Sequence, residues 1–364
     1  MATEQTLDAS AFGRILPAMP AADGRIDQHE QRQRVLLGTI RAFEENGTIQ
    51  KYHRIATSNL ERWHQQSRVG DRSGTCKVIV SSSDWGEMTS QLTKEYGTMF
   101  AVLNMASAHV PGGGYIEGCP AQEENMFRRT DCHFSIRRDD RQNFVLSNDP
   151  FDADLLYSPQ MSRLLQGKDG KVYLDMDNPR VCTRGPEEKD RVDLGYHFLP
   201  EDEIFPFYEL RAAAVDLRGG KRFNEDEMRR RIRAQLDTLV EAGVRHAVLS
   251  AFGCGAYQNP SREVAAIYRE EMELRQNWFE VVAFAIFDAG YGPDNFTSFQ
   301  NAFDGFGGAI SSTSRSIEDA PNAQSRDSSS SSLSSPLFPS TPSTPAARKR
   351  LKKNPVVDEA FTTP

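Results

Sequence analysis

The residues that invite a chemical reading lie in one stretch, "NMASAHVPGGGYIEGCPAQEENMFRR", which begins at Asn104. Three glycines, Gly112, Gly113 and Gly114, precede a Gln122-Glu123-Glu124 triplet by seven residues. Consecutive glycines open backbone conformations closed to other residues and let a ligand approach the main chain without a Cβ. After a strand, such a run suggests a loop that wraps an anion with its N–H groups, although a tight turn alone would also use it. No GK[ST] follows, so this is not a P-loop. The triplet leads into "NMFRRT", the pattern of a first helical turn. Carboxylates there suit the positive end of the helix dipole, and simple capping is one reading. Neighbouring helical side chains diverge by about 100°, so the two glutamates are expected to do different jobs. One could face a reacting centre, such as a sugar's anomeric carbon, while the other fixes a hydroxyl or the loop.

Elements that would position these residues follow from the apolar pattern. "CKVIVSSSD" and "TMFAVLNMAS" are short apolar runs that predict buried strands, with "WGEMTSQLTKEY" as the helix between them. Upstream, Val35, Leu36, Ile40 and Phe43 keep helical spacing over 27–46, and a weaker period continues to Trp63. Further on, "EDEMRRRIRAQLDTLVEAG" places Met228, Ile232, Leu236 and Val240 on one face and stops at Gly243. It feeds the strand "VRHAVLSAFGCGAY", then the helix "PSREVAAIYREEMEL" with Pro260 in its first turn, then the strand "FEVVAFAIFD". This alternation predicts a mainly parallel sheet covered by helices on both faces, with ligands bound beyond the strands' carboxyl ends. Both glycine clusters fall at that edge.

Together the two loops resemble a known family. GGG, seven residues, then QEE, within "VLNMASAHVPGGG…AQEE", is similar to the poly(ADP-ribose) glycohydrolase branch of the macrodomain superfamily, its microbial-type members above all. "LSAFGCGAYQNP" resembles that family's second ligand loop, and "VVAFAIFD" its last strand. The resemblance runs from Lys77 to Asp288, with "LLYSPQ" and "YELRAAAVDL" matching more weakly. It implies an α/β, three-layer α/β/α macrodomain-like fold with a mixed, mainly parallel central sheet and an N-terminal helical extension. It further implies ADP-ribose in a cleft between the loops and cleavage of the ribose glycosidic bond.

Carried over by position, Glu124 is the general acid/base and Glu123 holds the ribose hydroxyls, with Gln122 beside them. The Gly112–Gly114 backbone lines the distal ribose and diphosphate, Gly253, Cys254 and Gly255 cradle the diphosphate through their amides, and Ala256 follows. Tyr257 stands where the family usually has phenylalanine, and Asn104 touches the ligand. Arg128, Arg129, Asp131 and His133 depart from the small serines usual there; they read as helix-surface charge and a packed histidine, or as groups that tune which acceptor fits. Some related bacterial effectors release single ADP-ribose units from an arginine of ubiquitin, so a mono-ADP-ribosyl-protein hydrolase is the alternative activity, and Asp131 would suit a guanidinium leaving group. A non-catalytic ADP-ribose reader is the third reading. Cys119 and Cys132 read as inert.

Composition frames these readings. A net charge of -8 argues against the folded body as a general nucleic-acid binder, including DNA. No apolar run reaches the ~20 residues of a membrane helix. Five cysteines without paired spacing suggest reduced thiols in an intracellular protein, and no zinc-ligand cluster appears. No cofactor or metal is implied; the partners are ADP-ribose, poly(ADP-ribose) or ADP-ribosylated proteins, with an import receptor as a further candidate at Arg348–Lys353. The chain divides into a loose 1–25, a helical extension at 26–70 packing on the core, a catalytic domain at 71–307 and a Ser/Pro-rich tail at 308–364 with disordered composition. Within the tail, five basic residues between Arg348 and Lys353 read as a nuclear-import signal or as a solvated charge run. A nuclear or cytoplasmic protein that reverses ADP-ribosylation in the DNA damage response fits the first of these.

Overall fold

The computed structural model describes residues 27–45, 49–67, 76–138, 156–288 and 294–306. The tail, its basic run included, lies outside the described residues. Six strands form one sheet: β1 (Lys77–Ser81), β2 (Ala101–Met105), β3 (Tyr173–Cys182), β4 (Phe205–Ala212), β5 (His246–Leu249) and β6 (Val281–Ala285). Their order is β1-β6-β5-β2-β4-β3, parallel throughout except that β3 runs antiparallel to β4.

Side chains alternate across this sheet and divide the core in two. Val78, Ala101, Leu103, Ala247, Leu249, Val282 and Phe284 pack with Met228, Ile232 and Leu236 of α7 (Glu225–Glu241), Val264 and Tyr268 of α8 (Ser261–Glu273) and Phe299 of α9 (Asn295–Ala302). On the opposite face Ile79, Val102, Val248, Val281 and Ala283 meet Trp85, Met88 and Leu92 of α3 (Trp85–Tyr96). Leu36, Ile40 and Phe43 of α1 (Gln28–Glu45) and Trp63 of α2 (Ile49–Gln66) complete that face. The molecule is therefore a three-layer α/β/α structure with a mixed, mainly parallel sheet.

Caps set the helix bounds. The Asp84 carboxylate accepts from Gly86 N and Glu87 N to start α3, which stops at Gly97 in the left-handed region. After the short α5 (Cys132–Arg138), Ser158 accepts from Met161 N to start α6 (Pro159–Leu165), and Asn224 accepts from Glu227 N to start α7. Pro260 occupies the N-cap position of α8, one residue ahead of the first turn expected for it.

The apolar pattern did not disclose β3 and β4. β4 carries Glu209 and Arg211 fully buried, charges that hide a strand from any hydropathy reading. Arg211 Nε and Arg180 Nε lie 2.7 and 2.8 Å from the two Glu209 oxygens, and Asn104 Nδ2 donates to Oε1 at 2.8 Å. Burial alone would raise this carboxyl; the Arg211 and Arg180 guanidinium groups overcome it and hold Glu209 down to about 2. A carboxyl depressed in the folded state stabilises above its unfolded pKa of about 4.3, and that contribution is lost as pH falls toward 2. Glu209→Gln is expected to cost about 3–5 kcal/mol at neutral pH by leaving two buried cations short of a counter-charge. It should also flatten the stability loss between pH 5 and 2 in denaturant titrations; an unchanged slope would refute this role.

Candidate active site

β2, β5 and β4 adjoin, so the loops after Met105, Leu249 and Ala212 gather at one edge of the sheet. α4 (Gln122–Arg129) starts there behind Ala121, which has no side chain to cap it. Its first three side chains reach back to the incoming chain, each at a different depth. Gln122 Oε1 accepts from Met105 N at 2.9 Å while its Nε2 donates to Leu103 O at 2.8 Å, pinning α4 to β2. Glu123 accepts from Ser107 N at 2.7 Å and Gly112 N at 3.1 Å, one bond to each oxygen. Glu124 Oε1 accepts from Gly114 N at 2.9 Å, and its Oε2 is buried with no partner. The divergence expected around the helix is thus met, and the glutamates have different surroundings.

Both carboxyls are shifted upward. Burial, then the Glu124 charge, raises Glu123 well above the usual range, against the Ser107 N–H. Burial raises Glu124, against the Gly114 N–H and Arg128. Gly113 lets the loop approach so closely. It has φ +58°, and a Cβ there would strike Glu124 Oε1 and stand 3.0 Å from Glu123 Oε2.

One expectation needs correction. The amides of Gly112 and Gly114 are taken by the glutamates, and Gly113 N donates to Val110 O at 3.0 Å. This loop therefore holds its carboxylates with the N–H groups expected to wrap an anion. In the second loop Cys254 N is likewise spent on Ala251 O, at 3.0 Å. The amides of Gly253, Gly255, Ala256 and Tyr257 donate to no group among the described residues, so donors suited to an anion lie here. Gly253 has φ +75°, and Asn259 Nδ2 ties its carbonyl (3.0 Å) to Val215 O (2.8 Å) after β4. Burial pushes the Cys254 thiol up, so it packs as an inert side chain. Cys119 and Cys132 are also pushed up, chiefly by burial.

Tyr257 of the second loop is half-buried, and its phenol is raised by burial and by the Glu123 charge. Asn104, expected to touch a ligand, is instead fully buried on Glu209. The charges after the triplet are not on a helix surface either. Arg129 is 1% exposed and forks onto Asp84 at 2.7 and 2.9 Å; Arg128 is fully buried, with Nε on Tyr196 Oη at 3.0 Å. Asp131, also fully buried, accepts from Val181 N at 2.9 Å and lies 2.8 Å from His53 Nε2. His133 is packed as expected, with Nδ1 3.0 Å from Tyr115 Oη. Such groups sit inside because each has a fixed partner.

Sequence reasoning missed Ser107, Asn259 and the hold that α1 has on the first loop. Gln33 Nε2 donates to Ile116 O (2.9 Å), His29 Nδ1 lies 3.2 Å from Glu117 O, Arg32 Nη1 is 3.5 Å from Gly118 O, and Arg128 Nη1 donates to Cys119 O (2.8 Å). Positions 29, 32 and 33 share one helix face by their i, i+3, i+4 spacing. Four successive carbonyls are thus held from outside the loop. Gln33→Ala should speed amide hydrogen exchange over 112–119 by about fivefold, the worth of one ordinary hydrogen bond. Unchanged exchange there would show that the α1 contact does not steady the loop.

This geometry defines an α/β protein with a buried carboxyl pair under one glycine loop and free backbone donors on a second. Residues 29–163 match the family model of the microbial-type PARG catalytic domain. No curated protein matches the chain. Among solved structures, poly(ADP-ribose) glycohydrolase from Thermomonospora curvata is 20% identical, covers 75% of this chain and 99% of its own, and superposes with a TM-score of 0.51. That likeness shows the fold. The enzyme of the same name from Deinococcus radiodurans, in complex with ADP-ribose, is 23% identical over 68% of this chain and 90% of its own, with a TM-score of 0.43. Neither the family model nor these structures gives a nuclear address or a DNA damage role. Among the described residues no helix is long and apolar enough to cross a membrane.

Proposed function

We propose that the protein is an ADP-ribose glycohydrolase that cleaves the ribose C1″–O bond of poly(ADP-ribose) and releases ADP-ribose. The carrying observation is Glu124, with one oxygen on the Gly114 N–H and the other buried and unpartnered. Burial raises both carboxyls, Glu123 the more, so the pair shares a proton; both Glu123 oxygens already accept N–H bonds, and Glu124 Oε2, which accepts none, is the oxygen open to carry that proton to a leaving group. That proton passes to the leaving oxygen as C1″–O breaks, leaving an oxocarbenium-like ribose. The Glu124 carboxylate then takes a proton from water as the water oxygen bonds to C1″, which restores the acid. Glu123 orients ribose hydroxyls, and the free amides of Gly253 and Gly255 receive the diphosphate, whose charge helps stabilise the cation. The match of 29–163 to the microbial-type PARG catalytic domain supports this reading.

A mono-ADP-ribosyl hydrolase that expels a guanidinium is disfavoured, because Asp131, the acid that would suit it, is fully buried and bonded to Val181 N. A pure reader has no use for the buried acid. Five free cysteines, four of them buried, fit a reducing, intracellular setting. Since the acid form must donate, turnover should fall as pH rises through the raised Glu124 pKa. Offering poly(ADP-ribose) beside Arg-, Ser- and Glu-linked mono-ADP-ribosylated protein tests the proposal. Free ADP-ribose should come fastest from the polymer; release from the mono-linked proteins alone would overturn it.

A further inference from the structure

The segment after β4 carries a cluster of charge that the chemistry above does not use. "DLRGGKR" sets Arg218, Lys221 and Arg222 against Asp216, three positive charges to one negative, in a chain whose net charge is -8. The Arg218 guanidinium lies 5.3 Å from the centre of the Tyr257 ring, and Leu217 N donates to Tyr257 O at 3.0 Å. Burial, and then the Glu123 charge, raises the Tyr257 phenol. Tyr257 therefore stands near both the carboxyl pair and Arg218, whose side chain reaches the surface.

Asp216 occupies Nε and Nη2 of Arg218 at 2.9 and 2.7 Å, and Nη1 makes no hydrogen bond among the described residues. The Arg218 side chain is 57% exposed, and Lys221 lies close enough to Asp216 to help lower its carboxyl. Gly219 and Gly220, at φ +81° and +83°, shape the turn between the two cations with open space beside them. The nearby acids Glu225 and Glu227 are committed to Arg229 and to Arg230 and Arg231.

The two possible leaving groups differ in charge. In the polymer, the departing 2′-oxygen belongs to an adenosine whose own diphosphate lies a few bonds away; an arginine-linked substrate presents a guanidinium instead. We propose that Arg218 and Lys221 form a subsite for the diphosphate of the departing ADP-ribose unit, so that the site selects polymer over arginine-linked mono-ADP-ribose. This rests on the glycohydrolase reading and names its substrate class. The guanidinium offers planar donors to phosphate oxygens, and Lys221 adds a point charge.

The test measures initial rates on poly(ADP-ribose), and ADP-ribose affinity by calorimetry, for wild type, Arg218→Ala/Lys221→Ala and Asp216→Asn. The double variant should raise the KM for polymer about tenfold, as expected for losing charge-assisted bonds. Its kcat at saturation should stay within about twofold, and its salt dependence should weaken as phosphate contacts are lost. Asp216→Asn should shift KM the opposite way, since it removes the competing charge, and a merely structural ion pair would not give that sign. Unchanged polymer KM in both variants would overturn the subsite. So would a parallel loss of ADP-ribose affinity, which would assign the cations to the bound unit's own diphosphate. Failure of wild type to cut polymer at all would instead remove the glycohydrolase reading.

Discussion

Glu124→Gln is expected to lower turnover of poly(ADP-ribose) on the order of 10³- to 10⁴-fold, the upper range for loss of one group that serves as both acid and base. ADP-ribose affinity should change by no more than about threefold. The amide preserves the shape and the Gly114 contact, because its carbonyl oxygen can still accept that N–H. It cannot supply a proton from the position of Oε2. Calorimetry and single-turnover release on the same sample separate the two effects, and loss of binding with residual turnover would contradict the assignment. Glu123→Gln should differ in kind. Glu123 carries two loop N–H groups and spans Ser107 to Gly112, so its loss should disturb ligand affinity as well as rate.

Gly113→Ala should abolish turnover without touching any reacting group. Two costs coincide at this residue. A left-handed backbone at φ +58° costs an alanine about 1 kcal/mol, and the added methyl would enter the Glu124 carboxylate with Glu123 Oε2 3.0 Å away. Either the loop moves Gly112 and Gly114 off the glutamates they hold or the Glu124 carboxylate swings away, and in both cases the acid loses its fixed position. Stability should fall by about 1–3 kcal/mol, with activity below about 1%. Gly305→Ala is the control: φ is +70° there and nothing lies within 4 Å, so only the backbone term applies. If both variants keep activity, the close approach of loop and carboxylates is not required.

Much of this arrangement was written in local patterns. The strands that end at Met105 and Leu249, the helix from Trp85 to Tyr96 and the helix capped by Asn224 all follow from short apolar runs and turn residues. The QEE triplet lay at a helix start, as the sequence implied, and both glycine loops lay at the carboxyl edge. What stayed hidden depends on pairings distant in sequence. Glu209 and Arg211 make β4 look like a polar segment until Arg180 and Asn104 come beside them. Arg128, Arg129 and Asp131 resemble a solvated helix face until Tyr196, Asp84 and Val181 enclose them. The fate of the glycine amides was equally illegible. Three glycines announce a close approach, but which group approaches is decided by Glu123 and Glu124 folding back, and only the geometry shows it.

The most direct measurement is the release of free ADP-ribose from poly(ADP-ribose) by purified wild-type protein, with calorimetric binding of ADP-ribose run alongside. Steady release of single ADP-ribose units, falling as pH rises through the Glu124 ionisation, is the expected result. Tight ADP-ribose binding with no release at any pH would contradict it, leaving a protein that holds the ligand and performs no chemistry on the polymer.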